Sequence, residues 1–165
     1  MGDRGCIGIL AGSGPLPAQV AAAAIAKGRK VFVIGFRDFA DRTLLGPYPH
    51  EIIRLAAAGD IRGALKKNNC RELVLIGPVR RPAWRDLRPD AEGARILARL
   101  GRAIFSGDDG LLGAIVRVLG EEGFLVRGAH EFLEHATGRS GTLGRVLPDA
   151  QARQDIARGV DVLKA

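Results

Sequence analysis

Aromatic side chains are scarce in this chain. Phe, Trp and Tyr make up 5% of its 165 residues, with a single Trp and a single Tyr. A surface that grips single strands of nucleic acid stacks bases on interleaved aromatics, and here there are almost none to use. The core must instead be packed from small aliphatic residues, as is common where helices lie on a sheet. Cysteine is rarer still. Cys6 and Cys70 lie far apart in sequence, belong to no Cys-x-x-Cys pair, and read as two reduced cytosolic thiols. No apolar run approaches the roughly 18 residues that a membrane span needs. The first five residues lead straight into a strand-like run and lack the layout of a signal peptide. No Gly-Lys-Ser/Thr follows a glycine turn, which removes a Walker loop. Internal repeats are absent, and the only low-complexity tract is Ala21–Ala24.

Positive charge is what the chain has in excess, with a net +7. The excess is uneven: +3 over residues 1–50, +5 over 51–100 and −1 over 101–165. A basic surface of this kind suits anionic partners such as nucleotides, phosphorylated substrates, nucleic acid or acidic lipid headgroups. The shortage of aromatics moves nucleic acid behind a small phosphorylated ligand. Hydrophobic content of 47% and charged content of 26% fit one globular domain with a core of its own.

Short apolar runs alternate with helical segments along the chain. Residues 6–10, 30–34, 51–54, 72–76 and 124–127 read as five strands. Helices are expected from Pro17 to about Gly28, over 59–67, 92–104 and 108–121, and from Pro148 onward. Leu111, Leu112, Ile115, Val116 and Leu119 are expected on one face of the helix over 108–121. The stretch 36–50 reads as a long loop, 128–134 as a loop with a helical turn, and 136–147 as an exposed loop. This rhythm predicts an α/β protein with a mostly parallel five-stranded sheet and helices on both faces.

Three constellations carry chemistry. The first is Gly12-Ser13-Gly14, between the first strand and a helix whose first turn holds Pro17. Strand, glycine turn and helix N-terminus present unpaired N–H groups to an anion; the plainer reading is a tight connection alone. A dinucleotide fingerprint wants Gly or Ala where Pro17 stands, and Arg37 precedes the acidic Asp38 after the second strand. The turn therefore fits phosphate in general, and neither NAD nor ATP in particular. The second is Arg80, Arg81, Arg85 and Arg88, interrupted by Pro82, Trp84 and Pro89. Guanidinium forks match phosphate oxygens, and the segment follows a parallel strand's carboxyl end, where α/β sheets place ligands; the plainer reading is a solvated basic loop. The third is the pair Asp108 and Asp109 at a helix start, able to cap free N–H groups or to bind Mg²⁺ on a ligand's phosphates. His130 and His135, five apart, do not face each other on a helix and read as loop residues.

Taken together, these stretches resemble the LpxI family, the UDP-2,3-diacylglucosamine pyrophosphatases of lipid A biosynthesis in Gram-negative bacteria. The resemblance is carried by Ile9-Leu-Ala-Gly-Ser-Gly-Pro-Leu-Pro17, Val79-Arg-Arg-Pro82, Leu87-Arg-Pro-Asp90 and Gly107-Asp-Asp-Gly-Leu-Leu112. Glu122-Gly-Phe124, Gly128-Ala-His-Glu131, Pro148-Asp-Ala150 and Asp155-Ile-Ala-Arg-Gly159 complete it. It implies a Rossmann-like three-layer domain over 1–147 and a linker helix over 148–165, leading to a C-terminal catalytic domain beyond Ala165. It also implies Mg²⁺-dependent hydrolysis of UDP-2,3-diacylglucosamine to UMP and 2,3-diacylglucosamine 1-phosphate. Gly12, Ser13, Gly14, Arg80 and Arg81 would bind substrate, with Asp108 and Asp109 the only metal candidates. The catalytic groups would lie elsewhere, so this chain alone is expected to be inactive. The setting implied is cytoplasmic, with the lipid substrate drawing the protein to the inner membrane. The final helix sets Ile156, Val160 and Leu163 in a stripe that a second copy could cover. The rival readings are an NAD(P)-dependent Rossmann-type oxidoreductase or nucleotide-sugar enzyme, and a basic module for nucleic acid or a membrane surface.

Overall fold

The computed structural model describes residues 5–80, 88–101, 108–133 and 144–164, with the backbone alone at 108 and 109. Five strands, β1 (Cys6–Ala11), β2 (Val31–Phe36), β3 (His50–Ile53), β4 (Cys70–Ile76) and β5 (Leu125–Val126), form one sheet in the order β3-β2-β1-β4-β5. Every neighbouring pair is parallel, so the expected mostly parallel sheet is wholly parallel. All residues of β1 and β2 are buried. Continuous apolar runs are what a strand covered on both faces requires.

Alternate residues of β1 divide the core into two layers. Ile7, Ile9 and Ala11 pack with Val20, Ala21 and Ala24 of α1 (Leu16–Ala26), and with Leu45 of α2 (Arg42–Leu45). Cys6 and Leu10 lie on the other face with Ala64 and Leu65 of α3 (Ala58–Lys67) and Phe124. Two further helices, α4 (Ala91–Leu100) and α5 (Asp108–Glu121), meet through Leu100, Ala114 and Val118. A three-layer α/β sandwich results.

Several expected boundaries move. The stretch expected as one long loop over 36–50 contains α2, which the Asp41 carboxylate starts by accepting from the N–H groups of Thr43 (2.9 Å) and Leu44 (3.3 Å). Leu45, 2% exposed, anchors it. The helix expected to reach residue 104 stops at Leu100, because Gly101 turns to φ +48°. On α5 the inward stripe is Leu111, Ala114, Ile115, Val118 and Leu119, whereas Leu112 and Val116 face solvent. At about 100° per residue Leu112 and Val116 lie roughly 20° and 60° beyond the edge of the stripe at Leu119.

Asp90 joins two helices. Its Oδ1 accepts from the Gly93 N–H of its own helix α4 at 2.6 Å, and its Oδ2 from the Gly59 N–H of α3 at 2.8 Å. Helix α3 has no side-chain cap from its own flanking residue, so a carboxylate 31 residues later supplies one. Burial alone would raise the Asp90 carboxyl. The N–H groups of Gly93, Gly59, Asp60 and Glu92 outweigh that and hold it below the ordinary aspartate value.

The chain divides into two compact units, Met1–Glu134 and His135–Ala165. The second carries α6 (Ala150–Lys164), which Asp149 caps through the Ala152 N–H at 2.8 Å, and none of its residues is buried. Among the described residues no helix is long and apolar enough to cross a membrane.

The doubled cap generates a prediction. The Asp90→Asn amide keeps one acceptor but sets its NH₂ against the second helix's N–H groups. A loss of about 1–3 kcal/mol is expected in urea unfolding at pH 7. Because the folded carboxyl titrates below the unfolded one, its contribution is full above about pH 4 and fades as pH falls through the folded value. The variant's stability should therefore depend less on pH in that acid range than the parent's.

Candidate functional site

The strand order fixes where the loops open. The chain winds outward from β1 through β2 to β3, then returns to place β4 on the other side of β1. The carboxyl ends of β1 and β4 thus form the switch point at which open α/β sheets bind ligands. Gly12-Ser13-Gly14 leaves β1 there, and Gly77-Pro78-Val79-Arg80 leaves β4 beside it.

The two loops are tied together by backbone. Gly12 N–H donates to the Ile76 carbonyl and Ser13 N–H to the Pro78 carbonyl, each at 2.9 Å. The Ser13 hydroxyl donates to the same Pro78 oxygen at 2.9 Å. Gly12 and Gly77 permit this approach. A Cβ on Gly12 would strike the Gly77 carbonyl, and one on Gly77 would lie 2.7 Å from the Ser13 oxygen, where φ is already +92°. The need for glycine at 77 is readable only as a glycine ending a buried strand; its partner across the sheet is not.

Those bonds correct the expectation of a turn full of free N–H groups. Gly12 and Ser13 have spent theirs on Ile76 and Pro78, and Pro15 has none. Gly14, exposed and at φ +83°, has an N–H with no partner among the described residues. Helix α1 has no side-chain cap and its first internal bond runs from Gln19 to Pro15, so the N–H groups of Leu16 and Ala18 are also unspent among the described residues. Three donors remain at alternate positions, at the positive end of the helix. Pro17 is fully buried at the position where a dinucleotide loop has its third glycine.

Arg80 is exposed two residues past Pro78. Arg81 and Arg85 lie outside the described residues. Arg88 is exposed, and its carbonyl accepts from Arg54 Nη1 at 3.2 Å. Asp108 and Asp109 open α5 as expected, but their side chains are not described. His130 is exposed, and the Glu131 carboxylate is engaged by the Gly128 N–H at 3.0 Å and by Arg127 at 3.1 Å; His135 lies outside the described residues. A cleft of about 430 Å³ between β3 and α3 is lined by Arg37, Arg54 and Lys67 against Glu51 and Asp60. Sequence reasoning gave it no role, and its charges nearly balance.

The close approach generates a prediction with an internal control. Gly77→Ala adds a backbone clash to the left-handed strain and should cost about 2 kcal/mol or more. Gly14→Ala meets nothing within 4 Å, so only the strain, about 1 kcal/mol, applies. Thermal unfolding of the two variants should rank them in that order.

Residues 6–136 match the LpxI N-terminal domain. The UDP-2,3-diacylglucosamine pyrophosphatase LpxI of Caulobacter vibrioides is 36% identical over 158 residues, covering 96% of this chain. The chain spans 56% of that relative's length. Solved structures with a similar backbone include the Bordetella bronchiseptica enzyme WbmG in complex with NAD and UDP, 18% identical over 69% of this chain and 34% of its own, TM-score 0.40. The UDP-glucose-4-epimerase of Stenotrophomonas maltophila with NAD and formylated UDP-arabinopyranose is 10% identical over 97% of this chain and 48% of its own, TM-score 0.43. At those scores neither structure is a basis for assigning a ligand. The glycine turn, the β4 loop with Arg80 and the start of α5 all fall inside the family match, and the chain belongs to the LpxI family.

Proposed function

We propose that this chain is the nucleotide-binding part of a UDP-2,3-diacylglucosamine pyrophosphatase, which hydrolyses the diphosphate to UMP and 2,3-diacylglucosamine 1-phosphate. The observation that carries the reading is the switch point itself: three unspent N–H groups at Gly14, Leu16 and Ala18 beside the loop that leads to Arg80, inside the family match. A phosphate over that turn would take the helix N-terminus, and Arg80 and Arg81 would supply charge. Charge-assisted bonds contribute roughly 1.5–3 kcal/mol each before ordering costs, which supports millimolar to high-micromolar binding of a bare nucleotide.

The substrate's acyl chains would bring the protein to the cytoplasmic face of the inner membrane, and its charge of +7 favours an anionic surface. Magnesium is the cofactor that the reading implies. Among the described residues no group of three or more His, Cys, Asp or Glu could hold a metal ion, so these residues do not fit it. The part played by this chain's own residues is to hold and orient the nucleotide.

Amide chemical-shift mapping with UMP and UDP tests the reading. Gly14, Leu16 and Ala18 should move most, while Gly12 and Ser13, already bonded to carbonyls, move less. Unmoved amides over 11–18 at millimolar ligand would sink it, and tighter binding of NAD(P) at the same amides would favour an oxidoreductase. Arg80→Ala should weaken UMP binding about tenfold. Incubated with Mg²⁺ and UDP-2,3-diacylglucosamine, the 165-residue chain should release no UMP. Turnover would place the reacting groups within it.

A further inference from the structure

We propose that Cys6 and Cys70 are a modification site, at which a peroxide-class oxidant joins them into an intrachain disulfide stapling β1 to β4. Sequence reading left these as two separate thiols, 64 positions apart. The structure makes them neighbours: both are free and buried, with the Cys70 S–H directed at Cys6 Sγ, 2.8 Å away. They face each other across adjacent parallel strands, whose spacing of about 4.8 Å lies within the range of Cα separations a disulfide spans.

An irregularity in the sheet puts them there. Cys6 pairs with Cys70, but Ile7 pairs with Glu72, so Arg71 is an extra residue on β4. A strand's side chains alternate between faces, and this one residue reverses the alternation. Cys70 consequently falls in the same core layer as Leu73 and Cys6, while Arg71 stays exposed. An unbulged strand would have pointed Cys70 to the opposite face.

The chemistry balances with a peroxide alone. The Cys6 thiolate attacks one peroxide oxygen, the O–O bond breaks and hydroxide leaves, giving a sulfenic acid. Cys70 sulfur then attacks Cys6 sulfur, the S–O bond breaks, and the departing oxygen takes up protons to leave as water. Two thiols and one hydrogen peroxide become one disulfide and two waters. Cys6 is suited to the first step: the Cys70 hydrogen bond lowers its pKa against the opposing effect of burial, and Lys30 and Arg29 lower it further. Cys70 is pushed up by the same bond, by burial and by the Cys6 charge, so it keeps its proton until the second step. Cys6 is 8% exposed and Cys70 3%, which a small peroxide tolerates better than a bulky disulfide reagent.

The test treats the reduced protein with hydrogen peroxide, then denatures it and adds maleimide for intact mass measurement. The expected product is a monomer two hydrogens lighter that takes no maleimide, with a linked Cys6–Cys70 peptide after digestion and both labels restored by dithiothreitol. Cys6→Ser and Cys70→Ser should each abolish that species. Closing the long loop between the cysteines should also raise the unfolding midpoint of the oxidised wild type by several degrees. Disulfide-linked dimers, sulfinic acids in place of the crosslink, or two thiols still fully labelled would overturn the proposal, and the wild-type measurement alone decides among these.

Discussion

The contact between Gly12 and Gly77 sets the geometry at the carboxyl edge of the sheet. Two backbones leaving adjacent strands approach so closely that neither can carry a Cβ. That proximity lets the Ser13 N–H and hydroxyl both reach Pro78, so the β1 and β4 loops behave as one tied unit. Two loop donors are committed as a result, and Gly14 becomes the first free one. The bonds that hold the loops together thus also select which amides are left for a ligand.

The described residues on either side of the arginine-bearing stretch are each tied to the fold. At one end Pro78 is held by Ser13; at the other, Asp90 receives the N-termini of α3 and α4. One carboxylate satisfying two helices replaces two separate caps, and four N–H donors keep it ionised. Arg54 adds a tether at the Arg88 carbonyl. Helix–helix ion pairs reinforce the same region, with Arg62 reaching Glu92 at 2.8 Å and Glu122 at 3.4 Å. These side chains remain partly exposed, so each pair contributes little alone. The Asp90 cap is the stronger constraint because it satisfies N–H groups that burial would otherwise leave unpaired.

The sheet was legible in the sequence because strands buried on both faces must be apolar throughout, as Ile7–Leu10 and Val31–Ile34 are. The four residues of α2 were not, since one turn shows no periodicity and its signal, Asp41, looks like any loop aspartate. The glycine turn was legible as a turn. Its free donors are fewer than the turn alone suggests because Gly12 and Ser13 bond to Ile76 and Pro78, more than 60 positions away, which no local pattern encodes. The same limit hid the thiol pair, whose meeting depends on Arg71 being an extra residue in a pairing that exists only once the sheet has formed. Asp90 stands just ahead of the helix expected from residue 92 and caps it, and its second role needed α3 in place.

The count of spent and unspent donors bears on which anion the turn suits. A dinucleotide loop lays its backbone along a pyrophosphate and uses a third glycine to bring helix and strand together. Here Pro15 and Pro17 remove two N–H groups, Pro17 is itself packed in the core, and Gly12 and Ser13 are engaged with Ile76 and Pro78. The donors left at Gly14, Leu16 and Ala18 therefore differ from the backbone that a dinucleotide loop brings up to a pyrophosphate. A basic side chain stands at the other loop of the switch point, where Arg80 is exposed beyond the Pro78 carbonyl that Ser13 engages.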